Sequence, residues 1–317
     1  MLNPQSTAAR QTLADLIEQQ HLKESDVPNA INLAELSPRP SQWHSFIHTL
    51  LFWSGILGLT FAVIFFVAAN WQELGRFAKF GLVEGLIALS VIGFCKYDTN
   101  QTIRNGCLLV AMLSVGALMA LFGQTYQTGA DPWQLFFNWA VLTLPWVLVS
   151  RFNVMWLLWL GLLNLSVSLF YDAFGGFLDH SYAIFVLNSL ALAVWQFSAS
   201  RFEWLNTPWA INLIGFASGF FAMWVFFIGL FDEQFIGIAL WVIWAIAIFY
   251  VYRYRTLNVF MLSGLCLSLI IAANSLLIKT LPSSYDGFFF VVLCALTIGA
   301  GTYATLWLKS LLEKDLP

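Results

Sequence analysis

The stretch Phe46–Ala69, FIHTLLFWSGILGLTFAVIFFVAA, decides the fold. It contains no Asp, Glu, Lys or Arg. A helix rises about 1.5 Å per residue and bilayer hydrocarbon is about 30 Å thick, so a run of this length can cross it. Lipid offers no hydrogen-bond partners to the backbone, which leaves helices or a closed barrel as spanning structures. The apolar residues here are continuous rather than alternating, and that selects a helix.

Nine more runs of this kind follow: Phe77–Phe94, Gly106–Phe122, Gln134–Ser150, Phe152–Tyr171, Tyr182–Phe197, Trp209–Leu230, Phe235–Tyr252, Leu257–Ile278 and Gly287–Leu308. The shortest need a turn of flanking residues to complete a crossing. The composition agrees. Of 317 residues, 60% are hydrophobic and only 10% charged, with a mean hydropathy of +0.76. A soluble domain carries about 25% charged residues. The expected fold is all-α: a polytopic transmembrane helix bundle of about ten spans, with a small N-terminal cytoplasmic helical segment. Its first partner is therefore the lipid bilayer. A net charge of −3 without any basic run gives nucleic-acid binding no support.

The basic residues set the orientation. With the N-terminus inside, the inner segments hold Arg10, Lys23, Arg39, Lys96, Arg104, Arg151, Arg201, Arg253, Arg255, Lys309 and Lys314. The outer segments hold only Arg76, Lys79 and Lys279. Positive residues favour the cytoplasmic side, so both termini are expected there. Adding or dropping one span would scramble this alternation downstream of the error. No cleavable leader is expected, because about forty polar residues precede the first span.

Residues 1–42 form the cytoplasmic segment and residues 43–317 the transmembrane domain. Leu13, Leu16 and Ile17 share a helical face, and Ser25-Asp26-Val27-Pro28 looks like a helix start. A piece this small buries little surface alone. It is expected to pack on the membrane domain or on a protein partner.

Local chemistry marks several span boundaries. Asp131-Pro132-Trp133-Gln134 has a capping acid, proline at the first helical position and Gln134 at the reciprocal capping-box place. Thr207-Pro208 opens the seventh span similarly. Trp43, Trp204 and Trp209 fall at the inner interface and Trp71 and Trp133 at the outer one, as an aromatic belt would. Gly81-x-x-x-Gly85 and Gly215-x-x-x-Gly219 allow close helix contact. Pro145 is expected to kink the fourth span.

Arg151-Phe-Asn-Val and Tyr254-Arg-Thr-Leu-Asn-Val open spans five and nine, and Trp139 maps onto Trp244 at the same offset. One reading is a parallel repeat of spans 3–6 and 7–10, an arrangement found in transporters. The other is chance likeness between two apolar hairpins with inner arginines.

Glu84 is the one acid well inside a span. A charge near mid-bilayer costs about 2.5–3.5 kcal/mol on insertion scales, so such a residue normally faces the bundle or water and has a partner. Arg76 lies eight residues earlier and Lys79 is near. Either a proton or cation site, or a structural ion pair or neutral buried acid, fits this pattern. With Asn70, Trp71, Gln124, Tyr126, Gln127 and Asp131, these residues form a candidate polar cluster in the outer half. Asp172, Asp232 and Glu233 add acids to later outer loops. Such a mouth would concentrate cations, and the positive-inside rule alone would also leave it behind.

No cofactor or metal is expected. His44 and His48 share a helical face but lack a third ligand. Cys95, Cys107, Cys266 and Cys294 fall in or beside apolar runs, have no CxxC spacing and read as small packing residues. Asn138, Asn164, Asn188, Asn212 and Asn274 read as buried amides that bond between helices. No P-loop, GxSxG or HExxH motif is present, and the loops are too short for a soluble catalytic domain.

Three places carry a family resemblance. A polar N-terminal segment precedes a span ending Ala68-Ala69-Asn70-Trp71, with Lys79 opening the next. Gly123-Gln124-Thr125-Tyr126-Gln127 follows span three, with Asp131 and Trp133 after it. Trp139 and Pro145-Trp146 lie in span four, with Arg151 following. In these features, over roughly residues 10 to 160, the chain resembles the predicted prokaryotic membrane proteins catalogued as domain of unknown function 2157. The resemblance implies a multi-span bacterial inner-membrane protein and brings no activity with it.

Three functions stay open. Ten spans, Glu84, Pro145 and the repeat favour a transporter or permease of an unknown small molecule or ion. The short loops and N-terminal segment fit a non-catalytic scaffold, sensor or assembly partner, reached through residues 1–42. A membrane-embedded enzyme on a lipid-linked substrate is third, because no nucleophile with a base is visible.

Overall fold

In a computed structural model, residues 9, 12–13, 16–17, 19, 21–34, 40–70, 72–97, 99–176, 179–280 and 287–314 are described. The described residues are helical or lie in turns, with no strand among them. The chain divides into two units, Met1–Gly75 and Arg76–Pro317.

In the first unit a 3-10 turn at Glu24–Asp26 leads into α1 (Val27–Leu33). Asp26 stands at the N-cap with proline in the first turn, as the sequence suggests, but its side chain makes no cap hydrogen bond. α2 (Pro40–Ala69) is the first long apolar helix. It begins six residues before the apolar run. His44 and His48 lie on it, both exposed.

The second unit holds α3 (Arg76–Lys96), α4 (Gln101–Tyr126), α5 (Pro132–Ser150), α6 (Asn153–Phe174), α7 (His180–Ala199), α8 (Pro208–Phe231), α9 (Phe235–Tyr250), α10 (Val259–Thr280) and α11 (Gly287–Lys314). A π-helical turn, Val251–Arg255, extends α9. α2 through α11 are the ten helices long and apolar enough to span a membrane. Each contains one of the apolar runs or ends within a few residues of it.

Helix ends differ from the apolar runs where capping intervenes. α4 starts at Gln101 rather than Gly106 because Asn100 accepts hydrogen bonds from the Thr102 and Ile103 amides, at 3.1 and 3.3 Å. Arg104 is accommodated in that first turn with its guanidinium 4.6 Å from the Phe94 ring centre. The capping boxes of α5 and α8 are only half realised. Proline occupies the first turn of each, but neither Asp131 nor Thr207 makes a side-chain cap bond. The Thr207 hydroxyl instead accepts from Asn153 Nδ2 at 2.6 Å. α5 continues through Pro145 as a single helix.

Burial concentrates on two helices. Leu108 and Met112 of α4 pack with Ala140 and Val147 of α5 and Met155 of α6. α8 is the hub of the larger cluster, receiving α7, α9 and α10. Lipid tails are as apolar as leucine, so apolar contact alone does not drive this packing; close fit and interhelical hydrogen bonds must contribute.

Those bonds form a nearly continuous chain. Trp139 Nε1 donates to the Met112 carbonyl at 2.8 Å, joining α4 to α5. Trp159 Nε1 donates to the Ala140 carbonyl at 2.9 Å, joining α5 to α6. Asn164 and Asn188 exchange bonds of 2.6 and 3.3 Å between α6 and α7. The Ser189 and Ser218 hydroxyls link α7 to α8 at 3.0 Å. Trp244 then donates to Ser218 and Trp241 to Ser268, each at 2.9 Å, carrying the chain through α9 to α10. Asn274 donates to Thr297 at 2.8 Å and ties on α11. Asn258 adds a cross-link by donating to Asn212 at 2.8 Å. Asn138, expected among the buried amides, is exposed.

Backbone meets backbone where α8 approaches α9. A Cβ on Gly229 would lie 2.7 Å from the Ile238 nitrogen and 2.9 Å from Gly237 Cα. Only glycine lets these backbones meet. Of the two paired-glycine motifs, Gly219 packs against the Trp244 ring and Gly215 against Met261, whereas Gly81 and Gly85 have nothing within 4 Å of a Cβ.

Candidate functional site

Of the described cluster residues, Asn70 belongs to the first unit and the others to the second. Asn70 closes α2, where its side-chain amide donates to the Phe66 carbonyl at 2.8 Å. Trp71 lies outside the described residues. Arg76 and Tyr126 are brought together: the guanidinium stands 5.8 Å from the tyrosine ring centre. Tyr126 also meets Phe122 at 4.7 Å and Phe80 at 6.1 Å, so the start of α3 is stapled to the end of α4. Lys79 is buried on α3. Glu84 is exposed on the same helix and makes no ion pair among the described residues. Gln124 and Gln127 are exposed; Gln127 takes a left-handed conformation (φ 45°) that ends α4. Asp131 is half-buried at the start of α5.

A third cation of that end has a separate role. Lys279 Nζ donates to the Leu230 carbonyl at the C-terminus of α8 and lies 3.8 Å from Glu233. A cation there satisfies an orphan carbonyl and complements the helix dipole.

The opposite end, which carries Arg151 and Arg201, holds a cavity of about 760 Å³. Its walls come from the end of α5, the start of α6, the end of α7 and the segment 201–205. Local sequence builds each wall. The Ser150 hydroxyl donates to the Val147 carbonyl and accepts from the Phe152 amide, which closes α5. Arg151 then turns the chain at φ 47°, ψ 34°. A left-handed arginine costs about 1–2 kcal/mol, a strain glycine would avoid. Past α7, a 3-10 turn (Glu203–Leu205) folds back, held by Trp195 Nε1 donating to the Leu205 carbonyl at 3.1 Å.

The lining is mostly apolar, with a charged rim. Trp156, Trp159, Trp195 and Trp204 contribute indoles; Trp156 is 6.2 Å from both Trp159 and Trp204, centre to centre. Arg151, Arg201 and Glu203 supply the charges, and Arg201 lies 5.1 Å from the Phe197 ring centre. The Trp156 indole N–H is closed off from solvent without an acceptor among the described residues. A second cavity of about 450 Å³ lies between α6, α7 and α8, beside the Asn164–Asn188 pair and Ser168. Leu160 belongs to the walls of both cavities.

None of the seven cluster residues in the second unit, Arg76, Lys79, Glu84, Gln124, Tyr126, Gln127 and Asp131, lines either cavity. In the sequence Arg201 stands out only as an orienting charge and Trp204 only as a belt residue, while Arg151 also belongs to the possible repeat and to the family resemblance, none of which marks a cavity. A usable signal was present: each arginine is followed by a tryptophan within five residues, at Trp156 and Trp204. What the sequence could not supply was the meeting of two such turns, about fifty residues apart, across α7.

No curated protein and no solved structure matches the chain. Residues 14–156 do match a family model, and it is the one suggested by the asparagine–tryptophan and Gly-Gln-x-Tyr elements: that of the predicted membrane proteins of domain of unknown function 2157.

Proposed function

We propose that this membrane protein is a transporter that moves molecules dissolved in the bilayer along α6 and α7, and that its arginine-bearing end faces the cytoplasm of a bacterial inner membrane. One observation carries the reading. The cavity at the basic end and the cavity beside Asn164–Asn188 share Leu160, so a charged mouth and a neutral polar station lie along the same two helices. The mid-helix station offers amides and a hydroxyl but no carboxylate, which suits a polar or amphiphilic molecule better than an inorganic cation. The positive-inside distribution supports the orientation.

A parallel repeat, α4–α7 and α8–α11, is part of the proposal. Trp139 and Trp244 both donate from the second helix of a set to the first, each beside a glycine, Gly116 or Gly219. Asn153 and Asn258, 105 residues apart, both stand at the start of third helices, although Asn258 bonds within its own set, to Asn212, and Asn153 bonds across to Thr207.

Vesicles containing a fluorescent short-chain phosphatidylglycerol test the function. A membrane-impermeant reductant bleaches only the outer leaflet of protein-free vesicles. With the protein reconstituted, the inner-leaflet probe should also be bleached, and Leu160→Trp should slow this by filling the shared wall. Bleaching that stops at the outer leaflet with wild-type protein would refute transport of this class.

A further inference from the structure

We infer that the cavity between α5, α6, α7 and the segment 201–205 is a binding site for a phosphodiester-headed anionic amphiphile, its phosphate held by Arg151 and Arg201. Binding is separate from transport and does not rest on the path proposed above.

Two observations converge. First, the charged rim sums to one positive charge: Arg151 and Arg201 against Glu203. That balance matches a phosphodiester, which carries a single negative charge, better than a phosphate monoester near dianionic. Guanidinium groups are suited to phosphate because their planar donors pair with two oxygens at once. Basic pockets between spanning helices on the cytoplasmic side hold anionic lipid headgroups in this way. Second, below the rim the wall is indole and leucine. A free phosphate ester would leave that surface in water, whereas acyl chains would cover it. The volume, about 760 Å³, takes a headgroup with the first part of its chains rather than a whole lipid.

The test uses full-length protein in detergent, titrated with dioleoyl phosphatidylglycerol and followed by native mass spectrometry. Dioleoyl phosphatidylcholine and glycerol 3-phosphate are the parallel probes. Arg151→Asn removes the charge while keeping a residue that accepts the left-handed turn, and Arg201→Gln removes the other. Lys96→Gln, another cation of the same end, is the control. One basic residue near an anionic headgroup is worth about fivefold in affinity, so the double variant should bind phosphatidylglycerol about twenty-five-fold more weakly. Phosphatidylcholine should bind more weakly than phosphatidylglycerol, and glycerol 3-phosphate should not compete. Equal binding by wild-type and double-variant protein would overturn the proposal, as would equal losses in Lys96→Gln. Competition by glycerol 3-phosphate at the affinity of the whole lipid would overturn the amphiphile assignment. Retained tryptophan fluorescence and unchanged melting would show that the variants fold. Lipid bound without movement between leaflets would sink the transport reading and leave this site standing.

Discussion

Gly237→Ala should be among the most damaging single-methyl additions to this protein. A Cβ at Gly237 would press on the Val225 carbonyl oxygen and lie 2.8 Å from Gly229 Cα and 2.9 Å from the Gly229 nitrogen. These neighbours are backbone, so no flexible side chain can swing away, and α8 and α9 must separate. Overpacking of this kind costs about 1–3 kcal/mol. The separation would also loosen the nearby Phe226–Trp241 contact, with ring centres 4.8 Å apart, and strain the Trp244–Ser218 bond. The upper half of that range is therefore expected, about 2–3 kcal/mol. Gly264→Ala provides the contrast. Nothing lies within 4 Å of a Cβ there, and the exchange should be neutral or stabilise by up to about 1 kcal/mol through helix propensity. Reversible unfolding of the purified protein in mixed bicelles, by a steric-trap or denaturing-detergent titration, gives both values. Equal stability of Gly237→Ala and wild type, or a larger loss at Gly264 than at Gly237, would refute the proposed crossing of α8 and α9.

Two further outcomes follow from particular contacts. Asn164→Ala and Asn188→Ala, measured singly and together, should show a coupling of about 0.6–1.7 kcal/mol, the range of hydrogen bonds between membrane helices; zero coupling would mean that the amides do not pair. Asp179 caps α7 by accepting from the Ser181 amide at 2.8 Å. Burial raises its carboxyl pKa, but the bonds from Ser181 and the neighbouring His180 outweigh that and hold it below the ordinary value. A depressed carboxyl stabilises the fold fully above its unfolded pKa, near 4, and the contribution disappears as pH falls through the lower folded value. Asp179→Ala should therefore cost about 1 kcal/mol at neutral pH and flatten the loss of stability below about pH 4; an unchanged acid limb would exclude the cap as its source.

The spans were legible because lipid imposes one demand on every residue of a crossing, and that demand is visible in composition. Phe46–Ala69 or Trp209–Leu230 needs no tertiary information. The α4 start was less legible, since Asn100 extends the helix by capping it across residues that hydropathy discounts. Asn164 and Asn188 were readable as helix-linking amides, although their mutual pairing was not. Asn138 has the same composition and setting but turns outward, and nothing local distinguishes it. Arg76 and Tyr126 meet because short connections place the start of α3 beside the end of α4. The tryptophan–arginine cavity is built across a hairpin in the same way, but no motif in the sequence pairs its two turns. Its walls come from turns near residues 151 and 201, which become neighbours only when α6 and α7 fold as a hairpin.

One measurement probes the cavity, its side of the membrane and its occupant together. In a variant lacking Cys95, Cys107, Cys266 and Cys294, Ser198→Cys places a single thiol in the wall of the cavity. A membrane-impermeant maleimide should label it in inverted membrane vesicles and not in intact cells. In detergent, added dioleoyl phosphatidylglycerol should slow the labelling and phosphatidylcholine should not. Labelling from outside intact cells, or a rate indifferent to phosphatidylglycerol, would contradict a cytoplasm-facing site for an anionic amphiphile.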